Sequence, residues 1–83
     1  MSPFSEQHLS RLRWKCRRGM LELDLILLRF LDQHYAKLSL EQQAVFERLL
    51  ESEDPLLQQW FMGQAKSQDK ALAAMIEYIN TAQ

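Results

Sequence analysis

Three residues in the segment Arg-Gly-Met-Leu-Glu could do chemistry together: Arg18, Gly19 and Glu22. If one helix ran through both charged residues, they would form an i, i+4 ion pair, which stabilises an exposed helix by only about 0.3–0.5 kcal/mol. Such a pair does not require a glycine. Gly19 is explained either as a helix break, because it accepts a positive φ, or as a position that another backbone or a cofactor approaches closely. The pattern is typical of a polar docking surface rather than of a catalytic pocket.

A basic segment leads into these three residues. Five of the ten Lys and Arg residues lie between positions 11 and 18, with no acid among them: Arg11, Arg13, Lys15, Arg17 and Arg18. Residues 1–18 carry these five cations and one acid, a net charge of +4, whereas residues 19–83 carry five cations and ten acids, a net charge of −5. A charge asymmetry of this kind orients a protein on its partner and acts mainly on the association rate.

The basic segment has three interpretations: a solvated face, a contact with nucleic acid, and a contact with an acidic patch of another protein. Interleaved basic and aromatic residues suit the second, but the isoelectric point of about 6.1 argues against a dedicated nucleic-acid binder. Trp14 lies within the segment. It either packs against another helix beneath arginine stems or forms an exposed aromatic anchor, and the sequence favours neither.

The other reactive residues give little support to an enzyme. His8 and His34 lack HxxH or HExxH spacing, and the single Cys16 can build neither a metal cluster nor an internal disulfide. We therefore expect surface histidines, a buried Cys16 and no metal site. The two glycines form no phosphate loop or Rossmann motif that could hold a flavin. Asp24 falls on an apolar helix side, where we expect it to accept hydrogen bonds from a nearby helix end or a Trp indole N–H.

The composition is that of one small globular domain covering residues 1–83. A hydrophobic content of 47% argues against disorder, and two Gly and two Pro favour long regular segments with short loops. We expect no transmembrane segment and no signal peptide, because the chain has neither a run of 18 apolar residues nor an N-terminal apolar stretch. One cysteine is typical of a reducing compartment such as the cytoplasm.

Hydrophobic periodicity predicts an all-α fold, a compact five-helix bundle. The expected helices cover about residues 6–17, 20–35 and 40–51, a fourth starts at Asp54-Pro55 and is ended by Gly63, and a fifth begins at 67–69. Local signals mark their ends: Ser5 as N-cap with Phe4 as staple, the Ser39–Gln42 capping box, Asp54 as N-cap before Pro55, and Gly19 and Gly63 as breaks. The predicted core contains Leu12, Cys16, Leu28, Leu31, Phe46, Leu49, Phe61, Leu72, Ile76 and Ile79.

The second predicted helix is unusually apolar. Nine of the twelve residues from Met20 to Leu31 are hydrophobic, which predicts a helix enclosed by its neighbours. Glu22, Arg29 and Gln33 fall within a sector of about 40° on a helix of 3.6 residues per turn. We therefore expect one thin polar strip of this helix, which Arg18 extends, to be exposed to solvent.

Arg18, Gly19 and Glu22 resemble the RGxxE motif of the small bacterial and mitochondrial FAD assembly factors. The flanking residues are similar as well: Trp14, Cys16-Arg17, Leu23-Asp24, Glu53-Asp54-Pro55 and Trp60. The resemblance covers about residues 8 to 80. It implies a helical chaperone without turnover of its own, which promotes covalent flavinylation of the flavoprotein subunit of succinate dehydrogenase, with that of fumarate reductase as a second candidate.

The resemblance also assigns roles to residues. Arg18 and Glu22 would make polar contacts with the flavoprotein, Gly19 would allow close approach, and Trp14 would be an anchor. The remaining cations would steer the encounter: Arg11, Arg13, Lys15 and Arg17. FAD would not be held tightly, and would be met transiently or through the partner. The resemblance favours a cytoplasmic monomer that binds no nucleic acid and inserts into no membrane.

Two other function classes stay open at this point. The first is a small helical nucleic-acid-binding or regulatory module that uses the basic N-terminal face, for which salt-sensitive DNA or RNA binding would be the evidence. The second is a purely structural oligomerisation domain, for which a concentration-dependent mass would be the evidence.

Overall fold

The computed structural model describes the backbone of residues 6–82 and the side chains of residues 7–82, and it is all-α within that range. Five α-helices follow one another: α1 Glu6–Cys16, α2 Leu21–Gln33, α3 Leu40–Leu50, α4 Asp54–Phe61 and α5 Lys70–Ala82. The predicted fold class is confirmed. The predicted cap and staple at Ser5 and Phe4 lie outside the described residues.

The helices enclose one hydrophobic core. α1 packs against α2 and α3, whereas α5 packs against α2, α3 and α4. All ten predicted core residues except Leu28 are buried, and the core also contains Leu23, Leu27, Phe30, Tyr35, Leu38, Leu50, Leu57 and Met75. Leu28 is only partly buried against this cluster. It lies about 100° further around the helix than the fully buried Leu27, which places it at the edge of the buried stripe.

Local signals locate most helix ends correctly. In the predicted capping box, the Gln42 amide donates to Ser39 Oγ at 3.1 Å and the Ser39 amide donates to Gln42 Oε1 at 3.0 Å. Gly19 and Gly63 have φ values of +81° and +75°, the left-handed conformation that ends a helix at little cost for glycine. Both predicted breaks are confirmed.

Two helix ends differ from the prediction. The N-cap of α4 is Glu53, so Asp54 is the first helical residue, and its carboxylate accepts a hydrogen bond from Arg18 instead of capping its own helix. α2 ends at Gln33 and is followed by a 3₁₀ turn over Tyr35–Lys37. The turn is held by a side chain of α3, because the buried side-chain amide of Gln43 donates to the Tyr35 and Leu38 carbonyls.

Candidate functional site

The Arg18 guanidinium lies where helix ends meet, and it is engaged by the chain itself. It donates to Asp54 Oδ1 at 2.7 Å, to the Lys15 carbonyl at 2.8 Å, to the Leu50 carbonyl at 2.9 Å and to the Ser52 carbonyl at 2.5 Å. Only 15% of the side chain is exposed. The acid paired with Arg18 is therefore Asp54, and among the described side chains no Arg18–Glu22 ion pair forms.

Asp24 holds the backbone of the same junction. Its Oδ1 accepts the Arg18 amide at 2.7 Å and its Oδ2 accepts the Gly19 amide at 3.3 Å. These amides follow the last residue of α1, so the prediction that Asp24 accepts hydrogen bonds from a nearby helix end is confirmed. The carboxylate thus joins the first turn of α2 to the segment that leaves α1.

Gly19 and Glu22 are both exposed on the surface next to this junction. A Cβ atom built on Gly19 would meet no heavy atom within 4 Å, so the space in front of this backbone is open. Glu22 stands in the first turn of α2, where a carboxylate is favoured by the helix dipole. The arrangement leaves a carboxylate and an uncovered stretch of backbone exposed at the α1–α2 junction.

The outer face of α2 is more apolar than the sequence predicted. Leu21 is 76% exposed and Leu25 is 51% exposed, whereas both were expected to be enclosed with the rest of the helix. They lie within about 100° of Glu22 around the helix, on the side of the expected polar strip. That angular position is the signal that sequence reasoning missed. The strip is therefore bordered on one side by two exposed leucines, and adjoining exposed apolar side chains provide area that a partner can cover.

Trp14 projects from α1 into solvent, with 74% of its surface exposed. The Arg17 guanidinium lies 5.8 Å from the centroid of the indole ring, a cation–π distance. Together with Ser10 and Arg13 these two residues line a shallow cavity of about 210 Å³. Of the two interpretations left open by the sequence, the exposed aromatic is confirmed. We call the exposed residues at and next to the α1–α2 junction the docking face: Trp14, Arg17, Gly19, Leu21, Glu22 and Leu25.

Several cations of the basic segment are paired with acids from later helices. Arg13 Nη2 lies 2.5 Å from Asp32 Oδ1, and Lys15 Nζ lies 2.7 Å from Glu51 Oε1. The hydrogen bond from the Lys15 ammonium holds the pKa of Glu51 below its ordinary value. Because each pair is nearly neutral at a distance, the local positive field is weaker than the sequence suggested. Within the described residues, Arg11 and Arg17 are the exposed cations of the segment that form no ion pair with an acid.

The histidines and the cysteine are not arranged for catalysis. Both predicted surface histidines are only half-exposed: His8 contacts Tyr35 and Glu47 at 3.3 and 3.4 Å, and His34 stacks on Phe30. Cys16 is buried as predicted, and burial raises the pKa of its thiol to about 12, so it is protonated at neutral pH. Within residues 7–82 no cluster of His, Cys, Asp and Glu could hold a metal ion. None of the described helices is long and apolar enough to cross a membrane.

Comparison with known proteins shows the family to which this chain is related. The family described as flavinator of succinate dehydrogenase matches residues 10–83. The chain belongs to this family. The match includes every residue of the docking face, and the predicted family is confirmed.

Individual relatives from three bacteria agree with the flavinator family. The chain is 56% identical over 69 residues to a protein of Idiomarina loihiensis named FAD assembly factor SdhE, covering 83% of this chain and 77% of the relative. A protein of the same name from Shewanella oneidensis is 51% identical over 69 residues, covering 83% and 84% of the two chains. A third, from Colwellia psychrerythraea, is 50% identical over 70 residues, covering 84% and 77%.

Proposed function

We propose that this protein is an assembly factor that binds the flavoprotein subunit of succinate dehydrogenase and promotes the covalent attachment of FAD to it. The observation that carries the proposal is the family match over residues 10–83. The names of the relatives, FAD assembly factor, support it. The flavoprotein of fumarate reductase is a second candidate partner, and the protein acts as a cytoplasmic monomer.

The proposed role is that of a chaperone without turnover of its own. The bond between flavin and protein draws its chemistry from the flavin and the flavoprotein. What a small helical protein can supply is geometry: it holds the flavoprotein so that the reacting histidine and the flavin come together, which lowers the entropic cost of the reaction. FAD is then met transiently or through the partner, without tight binding to this chain.

The docking face supplies the contacts for this role. Trp14 and the two exposed leucines offer apolar area, and Glu22 offers a carboxylate beside the open backbone of Gly19. Large aromatic side chains flanked by arginine are enriched among interface hot spots. The residues proposed to serve partner binding comprise the docking face and the basic segment, namely Gly19, Glu22, Trp14, Arg17, Arg11, Arg13, Lys15, Leu21 and Leu25, together with Arg18, which holds the junction beside them.

The proposal is tested by mixing apo-flavoprotein, FAD and this protein, denaturing the sample, and measuring the flavin fluorescence that stays with the flavoprotein. We expect covalent flavin to accumulate faster than in a reaction without the protein. If no candidate flavoprotein responds, the assembly role is wrong. Salt-sensitive binding to DNA or RNA under the same conditions would then support the nucleic-acid-binding alternative.

Trp14→Ala is expected to weaken flavoprotein binding strongly and to leave the fold intact. Loss of a hot-spot tryptophan costs at least about 2 kcal/mol, which corresponds to a dissociation constant about thirtyfold higher. Titration calorimetry measures the affinity, and circular dichroism measures the thermal midpoint. Leu40→Ala is the matched control, because Leu40 is 75% exposed on α3 and lies outside the docking face. Equal affinities for wild type and Trp14→Ala would remove Trp14 from the interface.

Charge removal is expected to affect the association rate unequally within the basic segment. Replacing Arg11 and Arg17 by Gln should slow association several-fold at low ionic strength and reduce its salt dependence. Replacing Arg13 and Lys15 by Gln removes the same formal charge, but these cations are paired with Asp32 and Glu51, so we expect a smaller effect. Stopped-flow kinetics at several salt concentrations compares the two variants. Equal slowing would mean that only net charge steers the encounter.

A further inference from the structure

Four helix ends converge on residues 18 and 19: the C-terminal ends of α1 and α3 and the N-terminal ends of α2 and α4. The Lys15 carbonyl belongs to the last turn of α1, the Leu50 and Ser52 carbonyls belong to the end of α3 and the turn after it, and Asp54 begins α4. The carbonyls at a helix C-terminus lack partners within the helix and carry partial negative charge, so a cation placed there satisfies and stabilises them. Arg18 does this for two helices at once.

The Arg18 side chain has little capacity left for another molecule. A guanidinium has five N–H donors in a rigid plane. Four hydrogen bonds to Asp54, Lys15, Leu50 and Ser52 are already formed, and the side chain is 15% exposed. A direct contact with a partner would require some of these charge-assisted bonds to break, which is costly.

The backbone of the junction is held by a side chain of α2. Asp24, in the first turn of α2, accepts the amides of Arg18 and Gly19. The Arg18 side chain and the Asp24 side chain thus tie one short segment to α3, α4 and α2 together. Gly19, with φ of +81°, directly follows Arg18, and its own amide is one of the two that Asp24 accepts. The direction in which Gly19 and Glu22 face solvent therefore depends on bonds made by residues that are themselves largely covered.

We propose that Arg18 is a positioning residue that acts through Asp54 and the α3 carbonyls, and that its guanidinium does not contact the flavoprotein. This inference rests on the proposed function. Arg18 fixes the α1–α2 junction against the start of α4, and thereby presents Gly19 and Glu22 to the partner. Asp54 and Asp24 become parts of the recognition apparatus through the same bonds.

Removal of Asp54 separates the two possible roles of Arg18, because only the positioning role predicts weaker binding to the flavoprotein. Asp54→Ala breaks the ion pair at 2.7 Å and releases part of the guanidinium to solvent. If Arg18 were a partner contact, the released side chain would bind the flavoprotein as well as before or better. If Arg18 positions the junction, Asp54→Ala weakens binding although the arginine is still present.

The test measures flavoprotein affinity by titration calorimetry for Arg18→Ala, Asp54→Ala and the double variant. We expect roughly tenfold weaker binding for Arg18→Ala, a smaller loss for Asp54→Ala, and no further loss in the double variant. Arg48→Ala and Asp69→Ala form the control pair, since they remove an ion pair at 2.6 Å that joins α3 to the start of α5 outside the docking face. This pair is more exposed than Arg18–Asp54, and Asp69 also accepts the first amides of α5, so circular dichroism checks the fold of both variants. We expect wild-type affinity from both controls.

A second readout uses the protein without its partner. Hydrogen exchange followed by NMR reports the protection of the Arg18 and Gly19 amides, which Asp24 holds. We expect exchange at these amides to accelerate at least about fivefold in Arg18→Lys and in Asp54→Ala. In Arg18→Lys, an ammonium has only three donors and no planar fork to reach four acceptors. In Asp54→Ala, the ion pair that ties Arg18 to α4 is lost. Unchanged exchange in both variants, with the helices intact by circular dichroism, would overturn the positioning role.

The outcomes separate this inference from the proposed function. A wild-type protein that does not bind any candidate flavoprotein overturns the proposed function and, with it, the recognition role of Arg18. A wild type that binds, with Asp54→Ala equal to or tighter than wild type, overturns only the positioning role. Additive losses in the double variant overturn it too, since independent contacts add.

Discussion

Glu22→Ala is expected to abolish the acceleration of covalent flavin attachment while the helices stay folded. Glu22 is exposed in the first turn of α2 and lies on the docking face. An exposed substitution of this kind changes the free energy of unfolding by about 0.5 kcal/mol or less. A charged contact that becomes desolvated in an interface is worth several times more, because truncation leaves its partner group unpaired. We expect the rate to fall at least about tenfold, close to the rate without the factor.

Gly19→Arg is expected to have the same effect for a steric reason. The glycine has φ of +81°, so any L side chain there costs about 1–2 kcal/mol of backbone strain, but its Cβ would meet no atom of the chain within 4 Å. The fold should therefore survive, with a long side chain filling the space in front of the docking face. Gly63→Arg is the matched control, since Gly63 has φ of +75° and equally open surroundings away from the motif.

The measurement for both variants is the denatured-sample flavin fluorescence assay, with circular dichroism melts alongside. Gly63→Arg should lose a similar amount of thermal stability to Gly19→Arg, yet keep wild-type acceleration. If Gly19→Arg and Gly63→Arg behave alike, strain rather than docking explains the loss. Full activity in a folded Glu22→Ala variant would show that the carboxylate is not part of the interface.

Phe30→Ala is expected to produce the largest loss of stability. Phe30 is completely buried, and its ring contacts Phe46 and Tyr78 at centroid distances of 5.3 and 5.6 Å. Removing a buried phenylalanine costs about 3–5 kcal/mol, since the transfer free energy is lost and a cavity remains. A chain of this size has a total stability of about 4–12 kcal/mol. The thermal midpoint should fall by at least about 12 °C.

Leu21→Ala is the matched control for this experiment. Leu21 lies on the same helix but is 76% exposed, so its truncation should leave the thermal midpoint within about 4 °C of wild type. The same variant should weaken flavoprotein binding, because Leu21 lies on the docking face. A melt of Phe30→Ala that matches wild type would contradict the packing of α2 against α3 and α5.

Sequence patterns alone predicted those features whose causes lie within a few residues. The capping box of Ser39 and Gln42 and the breaks at Gly19 and Gly63 depend on backbone conformations and hydrogen bonds of neighbouring residues. The core stripe of α5 depends on a periodicity that runs along one helix. The family was predicted from Arg18, Gly19 and Glu22 together with their flanking residues, because residue types and their spacing are properties of the sequence itself.

Features that depend on residues distant in the chain could not be predicted in this way. Arg18 bonds to Asp54, 36 residues away, so the local pattern with Glu22 could not reveal this ion pair. Asp54 was predicted to cap its own helix for the same reason. The 3₁₀ turn at Tyr35 is held by Gln43 and could not be distinguished from the end of α2 by periodicity.

Exposure was decided by tertiary packing as well. Amphipathic spacing indicates which residues share a helix face, but not how much of that face a neighbouring helix covers. Trp14 was equally consistent with a packed and an exposed side chain, and only the positions of α2 and α3 against the other side of α1 leave it in solvent. Leu21 and Leu25 are exposed for the same reason. The chain by itself therefore determined the helices and the motif, whereas the relative positions of the helices decided which side chains form the docking face.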